Sequence, residues 1–305
     1  MRNAFVQTLL EEALDHPEIV LITGDLGFGV IDDFQKRLPN QFINAGVAEQ
    51  SMMSLAAGIA STGKRVFVYS IGNFPTLRCI EQIRNDVCLM DNPVVVVSVG
   101  AGYSYGPQGY THHAIEDLAI MRALPNIDIC VPADPAEAKE ITKYLIGSHK
   151  PAYLRIGKNG EQMITAAGTE FRPYKINEIR AGSKGTILFT GSIGNIAIEA
   201  AMMLEQQGID TSIASVPFIS NLDFEYIQGA VAKGPIITVE EHSSRGGFGS
   251  ALLEFMQENG FYQKVRIIAS SQEHLSMVGS QEYLREMNGL SPSVIVREFL
   301  SLMAG

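Results

Sequence analysis

The chain has 305 residues, 46% of them apolar, with 23 Lys plus Arg against 33 Asp plus Glu and a net charge of −10. That length suffices for two domains with cores of their own, and that apolar content excludes wholesale disorder. The acidic balance argues against a nucleic-acid or anionic-membrane surface, though not against a local basic pocket. The longest apolar run suited to a strand, PVVVVSVG at 93–100, is far too short to span a bilayer. The N-terminal stretch MRNAFVQTLLEEALDHPE carries four acids by residue 18 and lacks the apolar region and cleavage site of a signal peptide. Cys79, Cys88 and Cys130 show no C-x-x-C spacing and lie in apolar runs, which fits reduced, buried thiols in a cytoplasmic protein.

In chain order, residues 4–14 place Phe5, Leu9, Leu10 and Ala13 on one helical face. EIVLITGDLG then reads as a buried strand ending in a glycine-bearing loop. A helix near 30–38, a short strand at 41–44 and a helix after Glu49 follow. Further strands are expected at 65–70, 94–99, 127–132 and 152–156, separated by helices near 75–90, 115–123 and 134–147. Continuous Val/Ile runs alternating with helices indicate a parallel sheet covered on both faces. Periodicity weakens over 157–184. A second alternation begins with GTILFTG and runs through helices at 194–207, 223–232, 248–259 and 291–303. The expected architecture is α/β with two doubly wound domains: 1–165, a linker at 166–184, and a smaller unit at 185–305.

Three stretches stand out. GSIGN (191–195) follows a strand and opens a helix; such a turn can hold a phosphate, but with no acidic ribose partner in evidence it reads as an ordinary strand-to-helix turn. TVEEHSSRGGFGS (238–250) sets two acids, a histidine and an arginine at a strand's C-terminal end, where open α/β sheets place ligands and also turns or subunit contacts. GAGYSYGPQGYTHH (100–113) lies after the most apolar strand, the position of an active-site loop. His112 and His113 are adjacent and so face different ways. No metal ligand set is assigned, and one histidine is expected to donate to a polar substrate.

Glu49 opens the segment EQSMMSLAAGIAS. A carboxylate in a first helical turn gains a few tenths to about 1 kcal/mol from the helix dipole. The segment that follows has no charge until Lys64. A carboxylate held against it would be desolvated and suited to exchanging a proton with a ring nitrogen.

INAGVAEQSMMSLAAGIASTGKRVFVYS resembles the pyrimidine-binding segment of transketolases, with its G-I-x-E turn before an Ala/Gly helix. CIEQIRND, GYTHHAIEDLAIMRALPNIDICVPADPAEA, PAYLRIGK and TVEEHSSRGGFGS resemble further segments of that family in the same order. The resemblance implies thiamine diphosphate as cofactor and a two-carbon ketol transfer from a ketose to an aldose. In the family, the glutamate at the Glu49 position hydrogen-bonds the aminopyrimidine and shifts it toward the imino form, which activates the thiazolium as an electron sink. By the same resemblance Glu49 and His112 are catalytic. Asp25, Leu26, Glu49 and Phe74 contact the cofactor. Arg2, Gln108, His112, Arg155 and Lys158 bind the sugar or its phosphate.

Several positions depart from the family pattern. The aromatic pair that stacks on the pyrimidine falls on Gly72 and Pro75, leaving Phe74 to take over. An aspartate that reads a sugar hydroxyl becomes Gln108. A phosphate-binding histidine becomes Gly100 and a phosphate-binding serine becomes Gly29. Tyr103 and Tyr105 are candidates to line the acceptor channel instead. There is no G-D-G, the start of the family's magnesium and diphosphate cradle. The chain therefore resembles the C-terminal half of a split transketolase. It is expected to act only with an N-terminal subunit that holds Mg²⁺ and diphosphate, in an assembly of two copies of each. Alternatives are a 1-deoxyxylulose-5-phosphate synthase-like enzyme, the beta subunit of a 2-oxo-acid dehydrogenase, or a non-catalytic subunit.

Overall fold

A computed structural model describes residues 1–304. The first unit contains α1 (Arg2–Ala13), β1 (Ile19–Thr23), α2 (Asp32–Arg37), β2 (Phe42–Asn44), α3 (Glu49–Ala60) and β3 (Arg65–Ile71). Helix α4 starts at Ile80–Gln82 and continues with wider, π-type hydrogen bonding over Ile83–Leu89. After it come β4 (Val94–Val99), α5 (Asp117–Arg122), β5 (Asp128–Cys130), α6 (Pro135–Gly147) and β6 (Ala152–Ile156). The six strands form one parallel sheet in the order β2-β1-β3-β4-β6-β5.

Strand alternation sends successive residues to opposite faces, so the Val/Ile runs serve two cores at once. Val20, Val66, Val68, Val94 and Val96 pack against Met52, Met53, Ala56 and Ala57 of α3. Leu21, Phe67, Val95 and Val97 pack on the other face against Phe5 and Leu9 of α1 and Ile141 of α6. Met52, Met53, Ala56, Ala57 and Ala60 recur at helical spacing on the buried face of α3.

The second unit holds β7 (Asn177–Arg180), β8 (Thr186–Thr190), α7 (Gly194–Glu205), β9 (Ser212–Ser215), α8 (Phe224–Lys233), β10 (Ile236–Ser243), α9 (Phe248–Glu258), β11 (Val265–Ser270), α10 (Gln281–Met287) and α11 (Pro292–Ala304). Its sheet runs β11-β10-β8-β9-β7, parallel except for β7, which lies antiparallel on β9. Neither β7 nor α10 is expected from the sequence pattern. Strand β7 is a four-residue edge strand, and QEYLREM of α10 is mostly polar. One face of this sheet, with Leu188, Ala214 and Ile236, shares its core with the first unit. Val131 N–H donates to the Pro217 carbonyl (2.8 Å) and Ile219 N–H to the Ile129 carbonyl (3.1 Å), which fixes the two units together.

Candidate active site

Apart from Arg2, at the start of α1, and Arg155, inside β6, the sequence-nominated residues sit on or just after the loops that leave the carboxyl ends of β1, β2, β3, β4 and β6, the end of the sheet at which open α/β folds hold ligands. Glu49 is the first residue of α3 and only 4% exposed. Its neighbour across the strand ends is the Gly24 backbone, where an added Cβ would sit 3.8 Å from Glu49 Cγ. The carboxylate does not stand against apolar groups alone. Arg78 donates from Nη1 to Glu49 Oε2 at 2.7 Å. Among the described residues no group donates to Oε1. Arg78 is a neighbour of Glu49 and Phe74 that sequence reasoning missed. A signal was present: it lies four residues after Phe74, close enough for its guanidinium to cover that ring at 4.9 Å.

From Phe74 the contacts continue in a row. The His112 imidazole meets the Phe74 ring edge-on with centroids 5.2 Å apart, and Tyr105 lies 6.3 Å beyond His112. His112 is half-buried, with Nδ1 at 3.0 Å from Thr111 Oγ1. Lys158 Nζ stands 4.9 Å from the Tyr105 ring centroid, and the Arg2 guanidinium lies near the Tyr105 hydroxyl. Burial pushes the Tyr105 hydroxyl up from its ordinary range, and Arg2 opposes that shift. Arg2 Nε itself is buried without a protein partner. Gly100, where the family pattern has a histidine, has φ +96°, and a Cβ there would be 2.2 Å from the Tyr105 ring. The Tyr105 ring thus fills the space that a side chain at position 100 would need.

Other nominated residues lie elsewhere on the rim or leave it. Asp25 adopts φ 58° and is exposed. Its N–H donates to Asn44 Oδ1 (3.0 Å), and Asn44 Nδ2 returns a bond to Asp25 Oδ1 (3.0 Å). Asn44 also accepts from Gly46 N–H (3.0 Å), tying together the turns after β1 and β2. Leu26 is half-buried and its carbonyl accepts from Thr23 Oγ1 (3.0 Å). Gln108 is exposed.

Arg155, nominated as a substrate-binding residue, is buried in this chain. It is 1% exposed, and its Nε donates to Asp117 Oδ2 at 2.7 Å. Its Nη2 donates to the carbonyls of Ala114 (2.6 Å) and Glu241 (3.1 Å). Burial would push the Asp117 carboxyl up, but the adjacent Arg155 and His242 outweigh it and hold the group below the usual carboxylate range. Arg155 was nominated as a candidate close to Lys158 in sequence; its guanidinium pairs with this acid.

The other two distinctive motifs make their own contacts within the second unit. Glu240 accepts the N–H groups of Phe248 (2.6 Å) and Gly249 (2.8 Å) at the start of α9. Ser192 of GSIGN accepts from Arg285. Tyr103, grouped with Tyr105 as a channel residue, is buried and pairs its hydroxyl with Ser270. Among the described residues no group of three or more His, Cys, Asp or Glu is placed to hold a metal ion.

Comparison with known proteins shows the family of the chain. Residues 1–160 match the family described as transketolase, pyrimidine binding domain, and residues 174–295 match transketolase, C-terminal domain. The chain is 35% identical to one of the subunits of the apulose-4-phosphate transketolase of Phocaeicola vulgatus, over 92% of this chain and 90% of that one. It is 32% identical to 1-deoxy-D-xylulose-5-phosphate synthase of Carboxydothermus hydrogenoformans, over 99% of this chain but 49% of that one. A solved structure described as a split gene transketolase, inactive beta4 tetramer, superposes with a TM-score of 0.89 at 32% identity, covering 99% of this chain and 97% of that one. The chain belongs to the transketolase family and comprises its pyrimidine-binding and C-terminal domains.

Proposed function

We propose that this chain is the C-terminal subunit of a split, thiamine-diphosphate-dependent transketolase, moving a two-carbon ketol unit from a ketose to an aldose. The observation that carries the reading is the unbroken row from Glu49 through Arg78, Phe74 and His112 to Tyr105, Lys158 and Arg2. At one end stands a buried carboxylate with an oxygen to spare, at the other a phenol with two cations beside it. An aminopyrimidine fits the first end, since Glu49 Oε1 has a free lone pair to share a proton with a ring nitrogen.

When bound, thiamine diphosphate supplies a thiazolium that stores a carbanion. The chain's own residues do the rest. Glu49 holds a proton at the pyrimidine nitrogen, oriented by Arg78. Phe74 contributes an apolar face, and the turn carrying Asp25 and Leu26 flanks the ring. His112 donates a hydrogen bond toward the substrate oxygen on which negative charge develops. Arg2, Lys158 and Gln108 receive the far end of the sugar or sugar phosphate.

The diphosphate and Mg²⁺ belong, in this reading, to an N-terminal partner subunit, with two copies of each chain in the active assembly and none of the activity in this chain alone. Support comes from the relatives that are each one subunit of an apulose-4-phosphate transketolase and from the split-gene neighbour described as an inactive beta4 tetramer. The apolar surface beside the Glu49 turn supports it as well, with Phe28 and Val47 each 75% exposed. A cytoplasmic enzyme fits the three buried free thiols, and no described helix is long and apolar enough to cross a membrane.

The test is Glu49→Gln in the reconstituted two-subunit complex, assayed for ketol transfer between sugars and for pyruvate decarboxylation. Loss of ketol transfer with assembly intact supports the proposal. Full activity of the variant would overturn it. Pyruvate decarboxylation by the unaltered complex would favour the synthase-like reading, to which the Carboxydothermus relative points.

A further inference from the structure

The loop that carries His112 leaves β4 at Gly100 and closes at Ala114, where Gly102 and Ala114 exchange two backbone hydrogen bonds of 3.0 Å. Its own domain does not hold it alone. Glu241, at the end of β10 in the second unit, is 3% exposed and reaches into the base of the loop. Its carboxylate accepts the Tyr103 N–H (2.6 Å), Gln281 Nε2 (2.9 Å) and Arg285 Nε (2.8 Å). The loop backbone is pressed onto it: Gly102 has φ +60°, and a Cβ there would lie 2.5 Å from the Glu241 carboxyl carbon.

What Glu241 grips is connected to the site. The Tyr103 ring meets the His113 imidazole edge-on at 5.1 Å, and His113 Nε2 lies 3.2 Å from the Gly106 carbonyl. Gly106 in turn backs onto Gly279, where a Cβ would be 2.4 Å from the Gly279 carbonyl. Asn73, beside Phe74, donates to the His113 carbonyl at 2.7 Å. His112, one residue along, is therefore placed by contacts that begin in the second unit.

We propose that Glu241 is a positioning residue. It fixes the loop 100–114 and through it the place of His112 against Phe74, so that the second unit shapes the site without touching substrate. The kinetic consequence rests on the transketolase reading above; the structural one does not.

The experiment has two arms. In the first, hydrogen–deuterium exchange is followed on the full chain. Glu241→Ala should speed exchange across 100–114 about tenfold or more, since a charge-assisted anchor is lost, while β4 and β10 keep their protection. Arg122→Ala is the control. It removes a different bond between the units, to the Gly246 carbonyl (2.8 Å), and should leave the loop unchanged. Arg285→Lys and Gln281→Ala loosen the same carboxylate without leaving it unpaired, should give smaller increases in the same direction, and decide the matter if Glu241→Ala does not fold. Wild-type exchange of the loop in every folded variant would overturn the proposal.

In the second arm, the reconstituted complex is assayed with Glu241→Ala, His112→Ala and the double variant. Positioning through His112 predicts that the double variant turns over no more slowly than His112→Ala, within about twofold. Fully multiplicative losses would overturn it. A wild-type complex with no ketol transfer would sink the functional reading and leave the exchange arm to decide this one.

Discussion

Glu49 and Glu241 are almost equally buried, at 4% and 3% exposure, and each is met by an arginine. They differ in what remains unfilled. Glu241 takes donors from a backbone N–H, an amide and a guanidinium, drawn from two domains. Glu49 takes one, from a half-exposed Arg78, on one oxygen. Burial alone does not separate a catalytic carboxylate from a structural one. The lone pairs left over do, because an oxygen with no protein donor and some solvent access can take a ligand's proton without giving up a structural bond. Asp117 falls on the structural side, with Arg155 and Tyr153 both committed to it.

The comparison breaks first at Asp117. Asp117→Ala strands a buried guanidinium, and removal of one partner from such a pair costs about 3–5 kcal/mol. Thermal denaturation should show a large fall in melting temperature, and an unchanged melting temperature would remove Asp117 from the structural class. Glu49→Gln should behave in the opposite way. It keeps shape and burial, so stability should move by less than about 1 kcal/mol, while turnover of the complex falls about 10²–10⁴-fold, the usual weight of a positioned proton-transfer group. A variant that unfolds instead would place Glu49 with Glu241.

Arg78→Ala sharpens the contrast. Arg78 is 48% exposed, so solvent screens the pair and stability should change by about 0.5 kcal/mol or less. Under the proposed function it holds one Glu49 oxygen so that the other faces the ligand. A cost of about 1 kcal/mol in that orientation gives roughly a five- to tenfold loss of turnover, measured on the reconstituted complex. Arg78→Lys should recover part of it.

The same distinction explains what could be read in advance. The runs VVVVSV and IVLIT, alternating with helical segments, point to a doubly covered parallel sheet, because strands buried on both faces read as continuous apolar runs. Glu49 stood out as an acid fronting an apolar helix. Arg155 misled because its strand, AYLRI, is buried on both faces. A cation in such a strand requires an acid across the packing layer, and Asp117 sits in a different helix, on no shared period. The Glu241 contact was invisible for the same reason: 138 positions separate it from Tyr103. Short-range patterns report which faces are buried, and pairings between polar groups across a seam leave no mark in them. Strand β7, exposed on one edge and polar on one face, gave too little periodicity to register.

The smallest effect concerns His113, which shares the Glu241-held loop with His112. Burial pushes the His113 imidazole below its ordinary range, although its bond to the Gly106 carbonyl opposes that. The folded chain therefore binds a proton at position 113 less readily than the unfolded chain. Stability from this group is fully present above the unfolded-state value, near 6.5, and is lost as pH falls through it toward the lower folded value. Melting temperatures taken from pH 7.5 down to pH 5 should fall less steeply in His113→Asn than in the wild-type chain. At neutral pH that variant still disturbs the Tyr103 contact, so only the slope carries the argument. Equal slopes would mean that the imidazole takes up its proton without leaving the loop, and Glu241 would then be holding a looser segment than its contacts imply.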